Sequence, residues 1–279
     1  MQPYGQQFNV GLTRTFGGRT ALHLDAVYAR NRNDRKVVEL NPPDATTGLR
    51  PLPAWGRIEE SRSISRLDYR ALYVRLENRF REDSLITVSY TLAKSKDNNP
   101  LERFVNSADP NADYGPSSAD RRHALIASGA FTLPFDLSLG AIWTFRSELP
   151  FSAVAGQDLN RDGFVTDFVP GTTRNQGARN LDLGKVNTWR SQFGLSPIPE
   201  SQIDSTRYSS VDTRLSKAFS LGRDLRLHTF VQVFNLTNRT NLLALYTDGR
   251  ITNALSANFG RIFTAREKRR AELGVRLTF

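Results

Sequence analysis

Cysteine is absent from the 279-residue chain, and histidine occurs only three times, as His23, His123 and His228. The lack of cysteine excludes disulfides but leaves the compartment open, because cysteine-free chains occur in oxidising and reducing compartments alike. The three histidines fall on three different predicted strands. Nothing in the sequence brings a serine, a histidine and an acid to one point. We therefore predict that the chain is not an enzyme.

Long apolar runs are also missing. Hydrophobic residues make up 39% of the chain, the mean hydropathy is −0.45, and no stretch has the length of apolar sequence that a transmembrane helix requires. A transmembrane β-strand needs only about ten residues, of which half face a polar lumen. Low average hydropathy is therefore compatible with a membrane protein that crosses the bilayer with strands.

Acidic residues are fewer than basic ones, with 28 Asp and Glu against 38 Lys and Arg, and the net charge is +10. Such an excess suits either nucleic acid or acidic lipid headgroups. The basic residues are spread over the whole length, and the sequence contains neither a basic helix nor a stacking motif. We predict no nucleic-acid partner, and a membrane surface fits the same charge.

The feature that the sequence does contain is a two-residue alternation, clearest at the C-terminus. One series is apolar and consists of Ala271, Leu273, Val275, Leu277 and Phe279. The intervening series is mostly polar and consists of Arg270, Glu272, Gly274, Arg276 and Thr278. A strand that is apolar on one face, polar on the other and ends in an aromatic residue is typical of a wall between lipid and water, as in a membrane β-barrel.

The same alternation recurs along the chain and predicts nine strands. They lie at about residues 6–16, 20–31, 66–81, 84–95, 121–133, 136–147, 207–219, 224–237 and 268–279. Antiparallel bacterial barrels close with an even number of strands. A further strand inside the long loop 148–206 would bring the count to ten.

The connections alternate between short and long. Short turns are predicted at 16–19, 81–83, 133–136 and 220–223, and long polar loops at 32–65, 96–120, 148–206 and 238–267. This alternation is typical of outer-membrane barrels, with tight turns on the periplasmic side and long loops outside. The prediction is an all-β fold, an antiparallel transmembrane β-barrel segment of about nine or ten strands that forms a partial barrel in the cell outer membrane.

Five segments resemble the C-terminal barrel of TonB-dependent outer-membrane receptors, particularly the Oar-like branch. They are SADRRHALIASGAFTLPF at 118–135, SELPFSAVAGQDLNRDGFVTDFVPGTTRN at 147–175, VQVFNLTNRTN at 231–241, FGRI at 259–262 and the closing ELGVRLTF. They occur in the expected order and cover roughly residues 115–279. The strand and turn pattern extends the resemblance towards the N-terminus.

The resemblance implies a barrel of about 22 strands, plugged by an N-terminal domain that contacts TonB through a short box. Residues 1–279 are then expected to be the C-terminal part of such a barrel, without the signal, the plug and the early strands. The segment after Met1, QPYGQQFNV, agrees with this expectation because it lacks the basic and apolar regions of a secretory signal.

One motif suggests a metal site. Asp158, Asn160 and Asp162 alternate with other residues and are followed by Gly163, with Asp167 four residues further on. Oxygen side chains at the first, third and fifth positions and glycine at the sixth can surround a calcium ion. The acid that completes an EF-hand is replaced by Val169, and Asp167 would have to substitute. The alternative is an ion-free surface turn rich in Asp, Asn and Gly.

Two charged clusters lie at predicted outer strand ends. Residues 120–123, Asp-Arg-Arg-His, suggest either a ligand-contacting rim or a strand start whose charges are satisfied locally, and we favour the second. Residues 266–270, Arg-Glu-Lys-Arg-Arg, suggest either contacts with lipopolysaccharide phosphates or a solvated loop end. The sequence does not separate these last two interpretations.

Three functional hypotheses follow. The first is a TonB-dependent receptor barrel that takes up an extracellular ligand of unknown class, with outer-membrane lipid and lipopolysaccharide around it and TonB as partner through a region upstream. The second is an adhesion or protein-export barrel whose loops bind partners. The third is a soluble all-β carbohydrate-binding module that uses the Asp158 loop for calcium.

Overall fold

A computed structural model describes residues 1–81, 83–98, 104–106, 109, 111–177, 180–222, 225–243 and 249–279. The strands are β1 Tyr4–Phe16, β2 Thr20–Glu39, β3 Glu59–Arg81, β4 Ser84–Asp97, β5 Gly115–Pro116, β6 His123–Leu133, β7 Leu137–Arg146, β8 Tyr208–Ser220, β9 Arg226–Phe234 and β10 Arg270–Thr278. Helix α1 is Leu183–Ser191, and a single 3₁₀ turn covers Glu200–Gln202. The all-β prediction and all nine predicted strands are confirmed.

The strands form one antiparallel sheet in the order β1-β2-β3-β4-β6-β7-β8-β9-β10, with the short β5 paired to β4. Each long strand therefore pairs with its neighbours along the chain. The tenth strand does not lie where the sequence suggested it, since loop 148–206 forms a helix and a packed core. β5 lies instead in the connection between β4 and β6, and at two residues it is too short to span a bilayer.

The sheet is open among the described strands. β1 pairs only with β2, and β10 pairs only with β9. An unpaired strand edge in hydrocarbon leaves backbone amides without hydrogen-bond partners, and each of them costs about several kcal/mol of free energy. The arrangement is that of a partial barrel, as predicted from the odd number of long strands.

Strands β2 and β3 are much longer than the sequence indicated. They have 20 and 23 residues, and their pairing continues to Glu39 and Glu59. The predicted loop 32–65 is therefore shortened to 40–58. The alternation is interrupted here by a register shift at Asn33, whose φ is 65°, and beyond it both faces carry charges. At about 3.4 Å per residue these strands extend beyond the apolar thickness of a bilayer, roughly 30 Å.

The register gives the sheet two different faces. One continuous row of paired residues crosses β1, β2, β3, β4, β6 and β7 and consists of Leu12, Leu24, Val74, Tyr90, Leu125 and Phe145. The neighbouring row, one residue away and on the opposite face, consists of Thr13, His23, Arg75, Ser89, Ile126 and Thr144. We call the face that carries the first row the apolar face and the face that carries the second row the polar face.

The apolar face is not covered by the rest of the protein. Leu273 is 82% exposed, Val10 76% and Val275 72%. The buried apolar cluster lies instead in the loops, around Phe151, Val186 and Phe259. A soluble β-sandwich would bury its apolar face between two sheets. The soluble carbohydrate-binding hypothesis is therefore wrong, because the large apolar side chains of the sheet point outward.

Helices contribute little to the structure. Within the described residues, none is long and apolar enough to cross a bilayer.

Tight turns join the strands at one end. Between β1 and β2, Gly17 and Gly18 have φ values of 55° and 67°, and the amide of Arg19 donates to the carbonyl of Phe16. Two successive positive φ values define the type I′ turn, whose twist matches that of the flanking strands. Two of the other predicted turns include Glu82 and Arg223, which lie outside the described residues.

Replacement of Gly18 by valine is expected to destabilise the hairpin by about 1–2 kcal/mol, because a side chain disfavours the left-handed backbone conformation. No atom lies within 4 Å of the added Cβ, so backbone strain is the only penalty. Gly56→Val is the matched control, since that position also has open space and has no positive φ. The measurement is the urea midpoint of the protein in lipid vesicles. Equal midpoints for the two variants would contradict the turn assignment.

The polar face and the loop assembly as candidate binding site

The polar face carries a shallow groove near the middle of the sheet. Its volume is about 360 Å³, and polar side chains from four strands line it, among them Thr87, Ser128, Asp212, Arg214 and Gln232. The Arg214 guanidinium lies 3.8 Å from the centre of the Phe230 ring. Charged groups along this face can be solvated only if water fills the space before it. The groove therefore belongs to the water-filled side of the barrel wall.

Three arginines gather at the outer end of this face. The guanidinium groups of Arg146 and Arg266 lie 5.8 Å and 5.3 Å from the centre of the Tyr208 ring. Arg146 and Tyr208 are directly paired on β7 and β8, in the polar-face register. Arg121 lies behind them, and its guanidinium donates to the carbonyl of Ser147. We call Arg121, Arg146, Arg266 and Tyr208 the mouth cluster.

The mouth cluster carries positive charge that no described carboxylate neutralises. No described carboxylate forms an ion pair with Arg121, Arg146 or Arg266. Burial, together with the charges of Arg146 and Arg266, lowers the pKa of Arg121 to about 10. Positive groups held together in this way attract an anion. Arg121 and Arg266 belong to the two charged clusters noted in the sequence, but their meeting with Arg146 and Tyr208 was not predicted, because the four residues come from four separate segments.

Above the polar face, the long loops pack into an assembly with its own core. The core consists of Phe151, Ala153, Val169, Val186, Ile198, Ala254 and Phe259. Helix α1 belongs to this assembly, and its N-terminus is capped by the Asp182 side chain, which accepts the amide of Lys185. The helix was not predicted, since nine residues without a marked apolar stripe give no helical period.

Two buried arginines brace the loop assembly through backbone carbonyls. Arg190 donates to Ala254 and to Ser256, the latter at 2.8 Å. Arg250 donates to the carbonyl of Gly260 at 2.8 Å and packs over the Phe151 ring. Burial lowers the pKa of Arg250 to about 10. Arg190 connects residues 249–262 to helix α1 through carbonyl oxygens, and Arg250 packs the same segment against Phe151. Nη1 of Arg250 is satisfied by a carbonyl oxygen, whereas its Nη2 has no hydrogen-bond partner among the described residues.

A buried ion pair connects the loop assembly to the sheet. Arg174, 5% exposed, donates to the carboxylate and the carbonyl of Asp97 at the end of β4. It also donates to the carbonyl of Asp113 at 3.3 Å. Breaking such a pair leaves a buried charge uncompensated, at a cost of about 3–5 kcal/mol. The loop assembly is thus fixed over the polar side of the sheet end.

Asp113 is the most unusual acid of this region. It is fully buried, its Oδ2 accepts the amide of Val105 at 2.9 Å, and its Oδ1 has no hydrogen-bond partner in the part of the chain that the structure describes. Burial raises the pKa of Asp113 to about 6, although Arg174 and the Val105 amide favour the charged form. A carboxyl group with these properties binds its proton more tightly in the folded state than in the unfolded chain.

The predicted calcium loop forms a compact turn within the loop assembly. The amide of Asp162 donates to Oδ1 of Asp158 and to Oδ1 of Asn160, each at 3.0 Å. Gly163 has a φ of 91° and donates to Oδ2 of Asp158 at 2.8 Å, and Leu159 donates to Oδ2 of Asp167. The structure therefore brings Asp158, Asn160, Asp162 and Asp167 into one small turn, as the motif predicted.

The acids of this turn are partly desolvated and repel each other. Burial and the charge of Asp158 raise the pKa of both Asp162 and Asp167. Among the residues that the structure describes, however, no three His, Cys, Asp or Glu side chains have the arrangement of a metal centre. The oxygen-only donor set suits calcium. Calcium binding by this turn stays a prediction.

The other candidate residues lie at separate places. Asp120 is buried and accepts the amide of Ser95, so its charge is satisfied locally, whereas Arg121 of the same cluster belongs to the mouth cluster. Arg270 lies on the polar face and pairs with Glu267 and Glu272 at 3.5 Å and 3.1 Å. Since Arg266 belongs to the mouth cluster, neither arginine faces the apolar side where lipopolysaccharide would lie. The three histidines remain on β2, β6 and β9.

A comparison with protein families agrees with the two-faced sheet. A family model described as an outer membrane beta barrel domain matches residues 1–272. Curated protein sequences give no significant match.

Solved structures give the same architecture. The outer membrane transporter YddB of Escherichia coli has a TM-score of 0.57 and 14% identity, over 99% of this chain and 33% of its own. The ferric-catecholate import receptor Fiu of Escherichia coli K12 has a TM-score of 0.51 and 13% identity, over 99% of this chain and 27% of its own. The ferripyoverdine receptor of Pseudomonas aeruginosa has a TM-score of 0.52 and 12% identity, over 99% of this chain and 27% of its own. At such identities the similarity establishes the fold alone, and the chain spans a third or less of each structure.

Replacement of Asp113 by asparagine is expected to remove the pH dependence of the stability of the loop assembly. The pKa of Asp113 rises from 3.8 to about 6 on folding, so the stabilisation is complete below about pH 4 and is lost as the pH rises to about 6. The loss is of the order of 3 kcal/mol. Hydrogen exchange of residues 111–120 measures it, with Glu200→Gln, an exposed acid elsewhere in the loops, as the control. An unchanged pH profile in Asp113→Asn would show that another group titrates.

Proposed function

The chain belongs to the family of outer membrane beta barrel domains and lies in the outer membrane, and on this basis we propose that it takes up an extracellular ligand as part of a TonB-dependent receptor. It performs no covalent chemistry in this role. The five segments that resemble the Oar-like branch suggest that it belongs to that branch of the receptors. The ligand would enter between the long loops and pass along the polar face.

The mouth cluster is the observation that carries this proposal. Arg146 and Arg266 are exposed at the outer end of the polar face, flank one aromatic ring and have no described carboxylate partner. Below them, the polar face continues to the groove beside Asp212 and Arg214. A ligand that enters from outside meets positive charge first and then a polar surface. This order of surfaces favours an anionic ligand.

Three partners belong to the proposal. Outer-membrane lipid and lipopolysaccharide surround the apolar face, the ligand comes from outside the cell, and TonB supplies energy through the plug domain that the resemblance implies. Two of the structurally similar proteins are named as receptors for iron chelates, a ferric catecholate and ferripyoverdine. Ferric chelates are therefore suitable probes for the mouth cluster.

A second function, adhesion or protein export, is favoured by a different observation. The outer loops have a packed core of their own and expose large apolar side chains, among them Trp55 at 65% and Phe263 at 71%. Rigid loops with exposed aromatic residues suit contact with another protein. Under this proposal the loops bind a partner and no ligand crosses the barrel.

We further propose that the turn of Asp158, Asn160, Asp162 and Asp167 binds calcium. Burial and neighbouring acids raise the pKa of Asp162 and Asp167. A bound cation would offset this effect, because it favours the charged forms of both side chains. Bound calcium would fix the position of residues 158–167 within the loop assembly. It would take no part in ligand chemistry.

Replacement of both Arg146 and Arg266 by glutamine is expected to weaken binding of an anionic ferric catecholate chelate about tenfold or more, since two charge-assisted contacts are lost. Tryptophan fluorescence of the reconstituted protein measures the affinity, and a neutral ferric hydroxamate is the comparison ligand. Arg276→Gln, on the same face but at the turn end of β10, is the control.

Uptake of the radioactive iron chelate by cells with and without TonB completes the test. Uptake that does not depend on TonB, or binding that the double variant leaves unchanged, would count against the receptor. Adhesion predicts that both measurements give no signal while the loops still retain a protein partner.

Replacement of Asp162 by asparagine is expected to weaken calcium binding about tenfold, because affinity in oxygen sites follows the number of charged ligands. Isothermal titration of the full chain with calcium chloride measures this change. Glu200→Gln, an exposed acid of the same loop, is the control. If the wild-type chain gives no binding heat, residues 158–167 form an ion-free turn.

A further inference from the structure

A second groove lies on the apolar face, on the side away from the mouth cluster. It crosses β1, β2, β3 and β4 at residues 8–10, 26–28, 70–72 and 92–94 and has a volume of about 620 Å³. Its lining residues are Phe8, Val10, Ala26, Val27, Tyr28, Arg70, Ala71, Leu72, Leu92, Ala93, Lys94 and Arg122. The groove faces hydrocarbon, because eight of its lining residues on the four strands belong to the apolar-face register, and the other three, Val27, Ala71 and Ala93, lie between them on the opposite face.

The inner part of this groove is apolar and open. Val10, Ala26, Leu72 and Leu92 are directly paired across the four strands and form one row. The small side chain of Ala26 leaves a depression between larger neighbours. Val10 and Leu72 remain 76% and 40% exposed, so no part of the described protein covers this row. An extended hydrocarbon chain fits such a depression.

The next row outward changes from apolar to basic. It consists of Phe8, Tyr28, Arg70 and Lys94, again directly paired. The rings of Phe8 and Tyr28 stack at 6.4 Å, and the Arg70 guanidinium lies 5.5 Å from the Tyr28 ring centre. Aromatic and basic side chains at the end of an apolar band mark the level of lipid headgroups. The change of chemistry along the groove therefore matches the change from acyl chain to headgroup.

The basic side chains of this row lack acidic partners. Arg70 and Lys94 stand directly opposite each other on β3 and β4, and like charges in that position destabilise a sheet. Neither forms an ion pair with a described residue, and the groove lining contains no aspartate or glutamate. Among the described residues, Arg122, at the end of the groove, donates to the carbonyl of Ala93. An anion between Arg70 and Lys94 would remove their repulsion.

We propose that this groove binds a phosphate-bearing lipid of the outer leaflet. The phosphate lies between Arg70 and Lys94, with Arg122 beside it, and one acyl chain follows the row of Val10, Ala26, Leu72 and Leu92. The proposal depends on the outer-membrane location of the chain and not on ligand uptake. It also places the phosphate contacts on β3 and β4, and not at residues 266–270 where the sequence suggested them.

A lipid explains both halves of the groove. Free phosphate would use the two charges and leave the apolar depression empty. A neutral lipid would fill the depression and leave Arg70 and Lys94 to repel each other. Only a molecule with a phosphate at one end and a hydrocarbon chain at the other satisfies the basic row and the apolar row together.

The experiment compares lipid binding by three variants of the full chain in phosphatidylcholine nanodiscs. The probes are lipid A with its phosphates, lipid A without phosphates, and inorganic phosphate as competitor. Native mass spectrometry counts the retained lipid. Each basic residue near an anionic surface contributes about fivefold, so Arg70→Gln with Lys94→Gln is expected to weaken binding of phosphorylated lipid A roughly 30-fold.

Two further variants separate charge from shape. Lys217→Gln is the matched control, since Lys217 belongs to the apolar-face register but lies near the turn end of β8, and it is expected to retain the lipid. Ala26→Trp fills the depression without touching the charges and is expected to lower lipid binding as well. Thermal unfolding gives an independent readout: without phosphorylated lipid, the double glutamine variant is more stable than wild type, because the repulsion is gone.

The outcomes are distinct. Loss of the phosphorylated lipid in the double variant and in Ala26→Trp, with retention in Lys217→Gln, supports the site. Equal retention of lipid A with and without phosphates overturns it, and so does displacement by inorganic phosphate, which would indicate a simple anion site. A loss of equal size in Lys217→Gln would show that binding follows net charge alone.

Discussion

The structure depends on one constraint, that every backbone amide of a strand must be paired while the two faces of the sheet meet different solvents. Antiparallel pairing between chain neighbours satisfies the amides of β2 to β9 on both sides. The two-residue period of a strand then assigns each side chain to hydrocarbon or to water. Because the pairs are in register, a single apolar residue such as Leu12 is extended into a row that crosses six strands. The order of the sheet therefore comes from the register of its strands and not from a buried core.

The loops follow a different physical principle. Outside the membrane, their apolar side chains can be buried only against each other, and Phe151, Val186 and Phe259 form a small core of the globular type. Buried cations that donate to carbonyls, as Arg190 and Arg250 do, replace the hydrogen bonds that strands would have supplied. The chain thus combines a sheet with exposed apolar residues and a loop assembly with buried ones.

The two faces also divide the chemistry of the protein. Positive charge on the polar face collects at the mouth cluster, whereas positive charge on the apolar face collects at Arg70 and Lys94, at the level of the headgroups. The net charge of +10 reveals neither location. One excess of basic residues therefore corresponds to two separate surfaces, for which we propose different partners, a ligand on the water side and a lipid on the other.

The alternation of residues such as Leu273 and Val275 was enough to determine the nine long strands, the open sheet and the membrane location, because period and face are local properties of a strand. The Asp158 turn could also be predicted, since its four residues lie within the short segment 158–167. The sequence could not show helix α1, the continuation of β2 to Glu39, or the meeting of Arg121, Arg146 and Arg266. Those features depend on contacts between residues far apart in the chain, which only the tertiary structure decides.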